Sequence, residues 1–94
     1  MTLGELIVKA SKEPSVNLTL GERLKTIRHL RGFKSQRQAA EKIGITTSAL
    51  SNYESDRNLP DARCAIKIAR VYNCSIDWLY GLTEEMGGKN DEHI

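Results

Sequence analysis

The chain of 94 residues has few aromatics, 5% of its composition. No stretch alternates polar and apolar residues for long enough to make a convincing strand. Together these absences favour a small helical fold over a β-sandwich. No apolar run approaches the roughly 20 residues of a membrane span. The opening residues, MTLGELIVKASKEP, lack the basic start and long apolar block of a signal peptide. Cys64 and Cys74 are the only cysteines. Two cysteines make no disulfide framework, and without a signal they argue for a reducing cytoplasm. The only histidines are His29 and His93, so no cluster has zinc-ligand spacing. There is no nucleophile elbow, no glycine loop for a phosphate and no clustered acid–base pair. We therefore expect no enzyme activity, no cofactor, no metal and no small-molecule ligand. A domain of this size has no room for a deep pocket once its core is filled.

What is present is unevenly charged. The net charge is +2, but residues 19–82 carry eleven Lys/Arg against six Asp/Glu. Residues 83–94 carry Lys89 against Glu84, Glu85, Asp91 and Glu92, and residues 1–18 balance. A basic centre with an acidic tail is compatible with a polyanionic partner.

Helix signals recur along the centre. Thr19 precedes Glu22 by three and Ser35 precedes Gln38 by three, two capping boxes. After Thr19, Leu20, Leu24, Ile27 and Leu30 mark one helical face, and Gly32 ends it. After Ser35, Ala39, Ala40 and Ile43 make a shorter stripe that stops at Gly44. Thr46 suits the cap of a third helix with Leu50 and Tyr53 inward. Pro60-Asp61 opens a fourth, with Ala62, Ala65, Ile66, Ile68, Ala69 and Tyr72 as its apolar face. Asn73 suits a left-handed end. Ser75 caps a fifth, carrying Ile76, Trp78 and Leu79 up to Gly81. This predicts a compact all-α five-helix domain over residues 19–82. Residues 1–18 form an extension whose Thr2-Leu3-Gly4-Glu5 cap and Leu3, Leu6, Ile7, Ala10 stripe suit a short helix. Residues 83–94 form an acidic, mobile tail.

The spacing around Gly44 is the most informative. A helix of about two turns ends there, and only Ile45 separates it from the next cap. That is the arrangement of a helix-turn-helix, whose second helix enters the DNA major groove. The third helix, TSALSNYE, has few core residues. Thr47, Ser48, Ser51 and Asn52 project outward, either as a solvated face or as readers of base edges. Short hydroxyls donate or accept, and an asparagine can pair with adenine. Lys34, Arg37 and Arg57, with the N–H groups near Ser35 and Gln36, could hold phosphates.

Residues 20–81 resemble the lambda-repressor-like family of Cro/C1, or xenobiotic-response-element, type. The matching stretches are ERLKTIRHLRG, KSQRQAAEKIGITTSALSNYES, PDAR and IKIARVYNCSIDWLYG, about two-thirds of the chain. The resemblance implies a five-helix DNA-binding regulator of bacterial or phage promoters, acting as a homodimer on double-stranded DNA. It implies that Thr46, Thr47, Ser48, Ser51 and Asn52 face the groove. It places Lys34, Ser35, Gln36, Arg37, Arg57 and Asn58 near the DNA backbone, and Arg28 with Glu54 as a structural brace. Two features depart from the pattern. Asp56 stands where many members have glycine, with its charge toward the phosphates, and the GFKS connection is one residue longer than usual. Trp78 and Tyr80 are core residues or dimer contacts, the core favoured for Trp78 and the dimer seam for Tyr80. Lys25, Arg31, Lys67 and Arg70 read as solvated. A second function class remains open: a protein-interaction module, such as an adaptor or an antitoxin, using the apolar stripe at 3–10 and the acidic tail.

Overall fold

The structure, a computed structural model, describes residues 18–87. The short helix expected at 3–10 and the acidic residues beyond 87 lie outside the described residues. Among those described, five helices and no strand occur: α1 (Leu20–Leu30), α2 (Gln36–Ile43), α3 (Thr47–Glu54), α4 (Ala62–Tyr72) and α5 (Ile76–Leu79).

Each helix starts on a side-chain cap. Thr19 Oγ1 accepts the Glu22 N–H at 3.0 Å and the Glu22 carboxylate accepts the Thr19 N–H at 3.0 Å, a complete capping box. At α2 one half of the expected box forms, the Ser35 hydroxyl accepting the Gln38 N–H at 3.1 Å. Thr46, Asp61 and Ser75 cap α3, α4 and α5. A cap of this kind stabilises its helix by about 1 kcal/mol, which matters for helices of two or three turns.

The core draws on every helix: Leu24 and Ile27, Ala39, Ala40 and Ile43, Leu50, Ile68, Ala69 and Tyr72, Trp78 and Leu79. Burying each of Leu24, Ile27, Leu50, Ile68 and Leu79 contributes roughly 1.5–3 kcal/mol. The Phe33 ring lies 5.9 Å from that of Tyr72, so the α1–α2 connection is packed down by its aromatic residue.

Several expectations need correction. Leu30 does not extend the buried stripe of α1; it is exposed beyond the helix's contact with the core. Ala62 and Ile66 do not face the core but the surface, because a helix of this diameter buries only one arc, here Ala65, Ile68, Ala69 and Tyr72. Arg31 is not merely solvated. Its Nε donates to the Tyr72 carbonyl at 2.6 Å and its Nη2 to that of Asn73 at 3.0 Å, satisfying the carboxyl end of α4. Residues 83–87 stay with the domain: the Ser75 N–H donates to the Met86 carbonyl at 2.8 Å, and Met86 packs on the core.

Candidate nucleic-acid interface

The turn between α2 and α3 is set by Gly44, at φ 93°, where a side chain would be strained. The Gly44 and Ile45 N–H groups both donate to the Ala40 carbonyl, at 2.8 and 3.0 Å. Thr46 Oγ1 then accepts the Ala49 N–H at 3.0 Å and starts α3 at once. Ala39 and Ala40, buried and small, let the two helices cross closely.

Only two α3 residues, Leu50 and Glu54, are fully buried, and both lie on its inner side. Thr46, Thr47 and Ser48 are exposed, and Ser51 and Asn52 are half-buried. Lys34, Ser35, Arg37, Arg57 and Asn58 are exposed. Arg37 makes a 3.5 Å ion pair with Glu41 in which both side chains are largely in water. Such a pair is weak enough to be exchanged for another anion. After α3 the chain folds back on itself, with the Arg57 and Asn58 N–H groups donating to the Asn52 carbonyl at 2.9 and 3.3 Å. Gln36 stands differently from the other backbone candidates. It is half-buried, and its side-chain amide donates to Glu54 Oε1 at 2.9 Å.

Glu54 is the hub that fixes α3. Arg28 Nε lies 2.7 Å from its Oε2 and Nη2 lies 3.3 Å from its Oε1, with side chains only 7% and 1% exposed. Arg28 Nη1 also donates to the Phe33 carbonyl at 3.1 Å, so the longer GFKS connection is held by the same guanidinium. Taking both charges out of water is costly, and the fork geometry with extra hydrogen bonds offsets that cost.

Asp56 does not face outward as expected. At φ 63° its carboxylate turns back to α1, accepting the Gly21 N–H at 2.9 Å and the Thr19 hydroxyl at 2.6 Å. It meets the positive end of a helix there. Gly21 makes this approach possible. A Cβ on it would stand 2.5 Å from the Glu54 carbonyl oxygen and 2.8 Å from that of Tyr53. The glycine so early in α1, where glycine is a poor helix former, was the signal in the sequence for this contact.

Arg23 was also missed. It is buried, its Nη1 donates to the Trp78 carbonyl at 3.2 Å, and its guanidinium lies 5.2 Å from the centre of the Trp78 ring. Its position three after Leu20 and four before Ile27 puts it on the stripe facing the core. Trp78 is therefore core, at 4% exposure, and is removed as a dimer contact. Tyr80 is exposed. With Ala62, Ala65, Ile66 and Ile76 it lines an apolar groove of about 500 Å³ between α4 and α5. Burial pushes the Cys74 thiol up to about 11, a packed rather than reactive cysteine. Among the described residues no cluster of His, Cys, Asp or Glu could hold a metal, and no helix is long and apolar enough to cross a membrane.

Two short helices joined through a left-handed glycine, with the second presenting a polar outer face, define a helix-turn-helix unit. The chain belongs to the Helix-turn-helix family, whose pattern matches residues 24–79. It is 42% identical over 77 residues to the HTH-type transcriptional regulator ImmR of Bacillus subtilis (strain 168), covering 82% of this chain and 59% of that protein. It is 38% identical over 68 residues to the HTH-type transcriptional regulator PuuR of Escherichia coli (strain K12), covering 72% of this chain and 36% of that protein. The Cryptic phage CTXphi transcriptional repressor RstR of Vibrio cholerae is 42% identical over 48 residues, or 51% of this chain and 43% of RstR. The chain thus spans between about a third and three-fifths of these relatives' lengths. The P22 c2 repressor protein, solved in complex with synthetic operator 9T in the presence of Tl+, shares the fold. The TM-score is 0.66 at 21% identity, over 71% of this chain and 100% of that one.

Proposed function

We propose that the chain is a sequence-specific DNA-binding regulator of transcription, reading the major groove with α3 and acting as a homodimer on a palindromic operator. The observation that carries this reading is the division of α3. Leu50 and Glu54 lock its inner side, Thr46, Thr47 and Ser48 are exposed, Ser51 and Asn52 are half-buried, and Lys34, Arg37 and Arg57 are exposed on the helix-turn-helix unit and the segments that flank it. The hydroxyls and amide supply selectivity, and the cations with the α2 N-terminus supply phosphate affinity. Gln36, held by Glu54, then contributes from a fixed position at that N-terminus.

A second copy fits the apolar groove at Ile66 and Tyr80, because a two-fold pairing covers the same patch on both subunits. Two subunits would then read half-sites roughly 34 Å apart. Repression is the regulatory direction we favour, following the phage repressors among the similar proteins.

Selection of duplexes from a random library, at two salt concentrations, tests the proposal. The expected result is one enriched palindrome. Its log affinity falls with log salt at a slope of roughly −5, if three cations on each subunit neutralise phosphates. Ile66→Glu should give a monomer in sedimentation and lose affinity for the full palindrome. A folded chain that enriches no sequence would refute the proposal and favour a protein-interaction module.

A further inference from the structure

We infer that Asp56 is a positioning residue for DNA recognition: its carboxylate pins the loop bearing Arg57 and Asn58, and with it the end of α3, to the first turn of α1. The inference rests on the function proposed above.

Two anchors tie α3 and its following loop to α1. One is the buried Arg28–Glu54 pair at 2.7 Å, and the other is Asp56 on Thr19 and Gly21 at 2.6 and 2.9 Å. Gly21 and Arg28 lie on α1 about two turns apart, roughly 10 Å along its axis. A single anchor leaves a helix able to swing about it. Two anchors separated by that distance fix its direction, and so the angle at which Thr47, Ser48 and Ser51 meet a groove. Beside the Asp56 bond the Gly21 backbone runs so near the Glu54 and Tyr53 carbonyls that a Cβ there would meet them at 2.5 and 2.8 Å, which leaves little play.

The residue type supports the same role. Position 56 is left-handed, at φ 63°, a conformation that glycine adopts without strain and aspartate does not. A negative charge beside Arg57 also opposes a polyanion. Both costs are offset by the two hydrogen bonds the carboxylate accepts where it lies, at the positive end of α1.

The test compares Asp56→Gly and Asp56→Asn in the full chain. It measures affinity for the selected operator, affinity for a scrambled duplex of equal length, and melting temperature. Asp56→Gly relieves the left-handed strain while losing both hydrogen bonds. It should stay folded, lose about tenfold or more in operator affinity, and bind the scrambled duplex as well as wild type or better. Asp56→Asn keeps one acceptor oxygen and should fall between. Should Asp56→Gly not fold, Asp56→Asn carries the same comparison. Operator and scrambled duplex both bound more tightly, in step, would mean that only charge matters at this position, and the inference would be overturned. A wild-type chain that selects no operator overturns the proposed function and this inference together. A selecting wild type whose variants discriminate equally well overturns this inference alone.

Discussion

Replacing Gly21 by alanine sets two effects of opposite sign against each other. Helix propensity alone favours alanine by about 1 kcal/mol or less. The fold opposes it. The new Cβ would stand 2.5 Å from the Glu54 carbonyl oxygen, and normal contact begins near 3.4 Å. The end of α3 must therefore retreat by about 0.9 Å, since a backbone carbonyl has no rotamer to escape into. That movement stretches and weakens the 2.9 Å bond from Gly21 to Asp56 and the 2.7 Å bond from Arg28 to Glu54. Overpacking costs about 1–3 kcal/mol, and weakening each bond to a charged group costs about 1.5–3 kcal/mol when the bond is lost outright. Partial loss of both, less the propensity gain, leaves a destabilisation of about 2–4 kcal/mol. For a domain of this size that lowers Tm by about 8–30 °C. Thermal and urea unfolding followed by circular dichroism measures it. A Tm for Gly21→Ala equal to or above that of wild type would refute the close-approach argument.

Other outcomes follow from the same geometry. Glu54→Ala leaves the buried Arg28 charge without its partner and should destabilise by about 3–5 kcal/mol, whereas Arg28→Met with Glu54→Leu should recover most of the loss in the same unfolding assay. Thr47→Ala and Asn52→Ala should each weaken operator binding by about 1–3 kcal/mol while leaving Tm within a few degrees, as gel shift and calorimetry would register. The Tyr72 hydroxyl is buried without a hydrogen-bond partner, so Tyr72→Phe should leave Tm unchanged or raise it; a marked fall would contradict this. Cys74 keeps its proton in the fold up to about pH 11, while the unfolded chain releases it near 9.0. The native state therefore binds more protons across that window, and stability should fall as pH rises through it. Burial of Tyr72 acts in the same direction at higher pH. Urea midpoints at pH 8, 9 and 10.5 should show a shallower decline for Cys74→Ala than for wild type.

The helices were legible because each carries its own start signal. Thr19, Ser35, Thr46, Asp61 and Ser75 all accept from the N–H three residues on, and that spacing is visible in one dimension. The turn at Gly44 was legible for the same reason, being local. What escaped notice was contact between segments far apart in sequence. The family resemblance implies that the Asp56 charge faces the phosphates, but the carboxylate turns back to α1. Its partners, Thr19 and Gly21, lie 37 and 35 residues away, and nothing local reports them. Arg31 was read as solvated because charge normally goes with exposure. The residue is exposed as a whole, yet its guanidinium closes the far end of α4. Ile66 falls within the apolar face that the sequence marks on α4. At 45% exposure it is the outer edge of an arc that hydrophobicity could not narrow. Resemblance supplied the Arg28–Glu54 pairing, which no spacing rule on this chain would have selected from eleven cations in residues 19–82.

The division of α3 into a tethered inner side and an untied outer one has a further consequence, for how such a chain can change over generations. Leu50 and Glu54 carry its attachments, and Thr47 and Ser48 stand outside the core. Substitutions at the outer positions draw little on the fold's narrow margin of stability. Under the proposed function, new target sequences can therefore be tried one residue at a time without first acquiring stabilising changes elsewhere, and a lineage built on this domain can diversify its targets faster than it alters its shape.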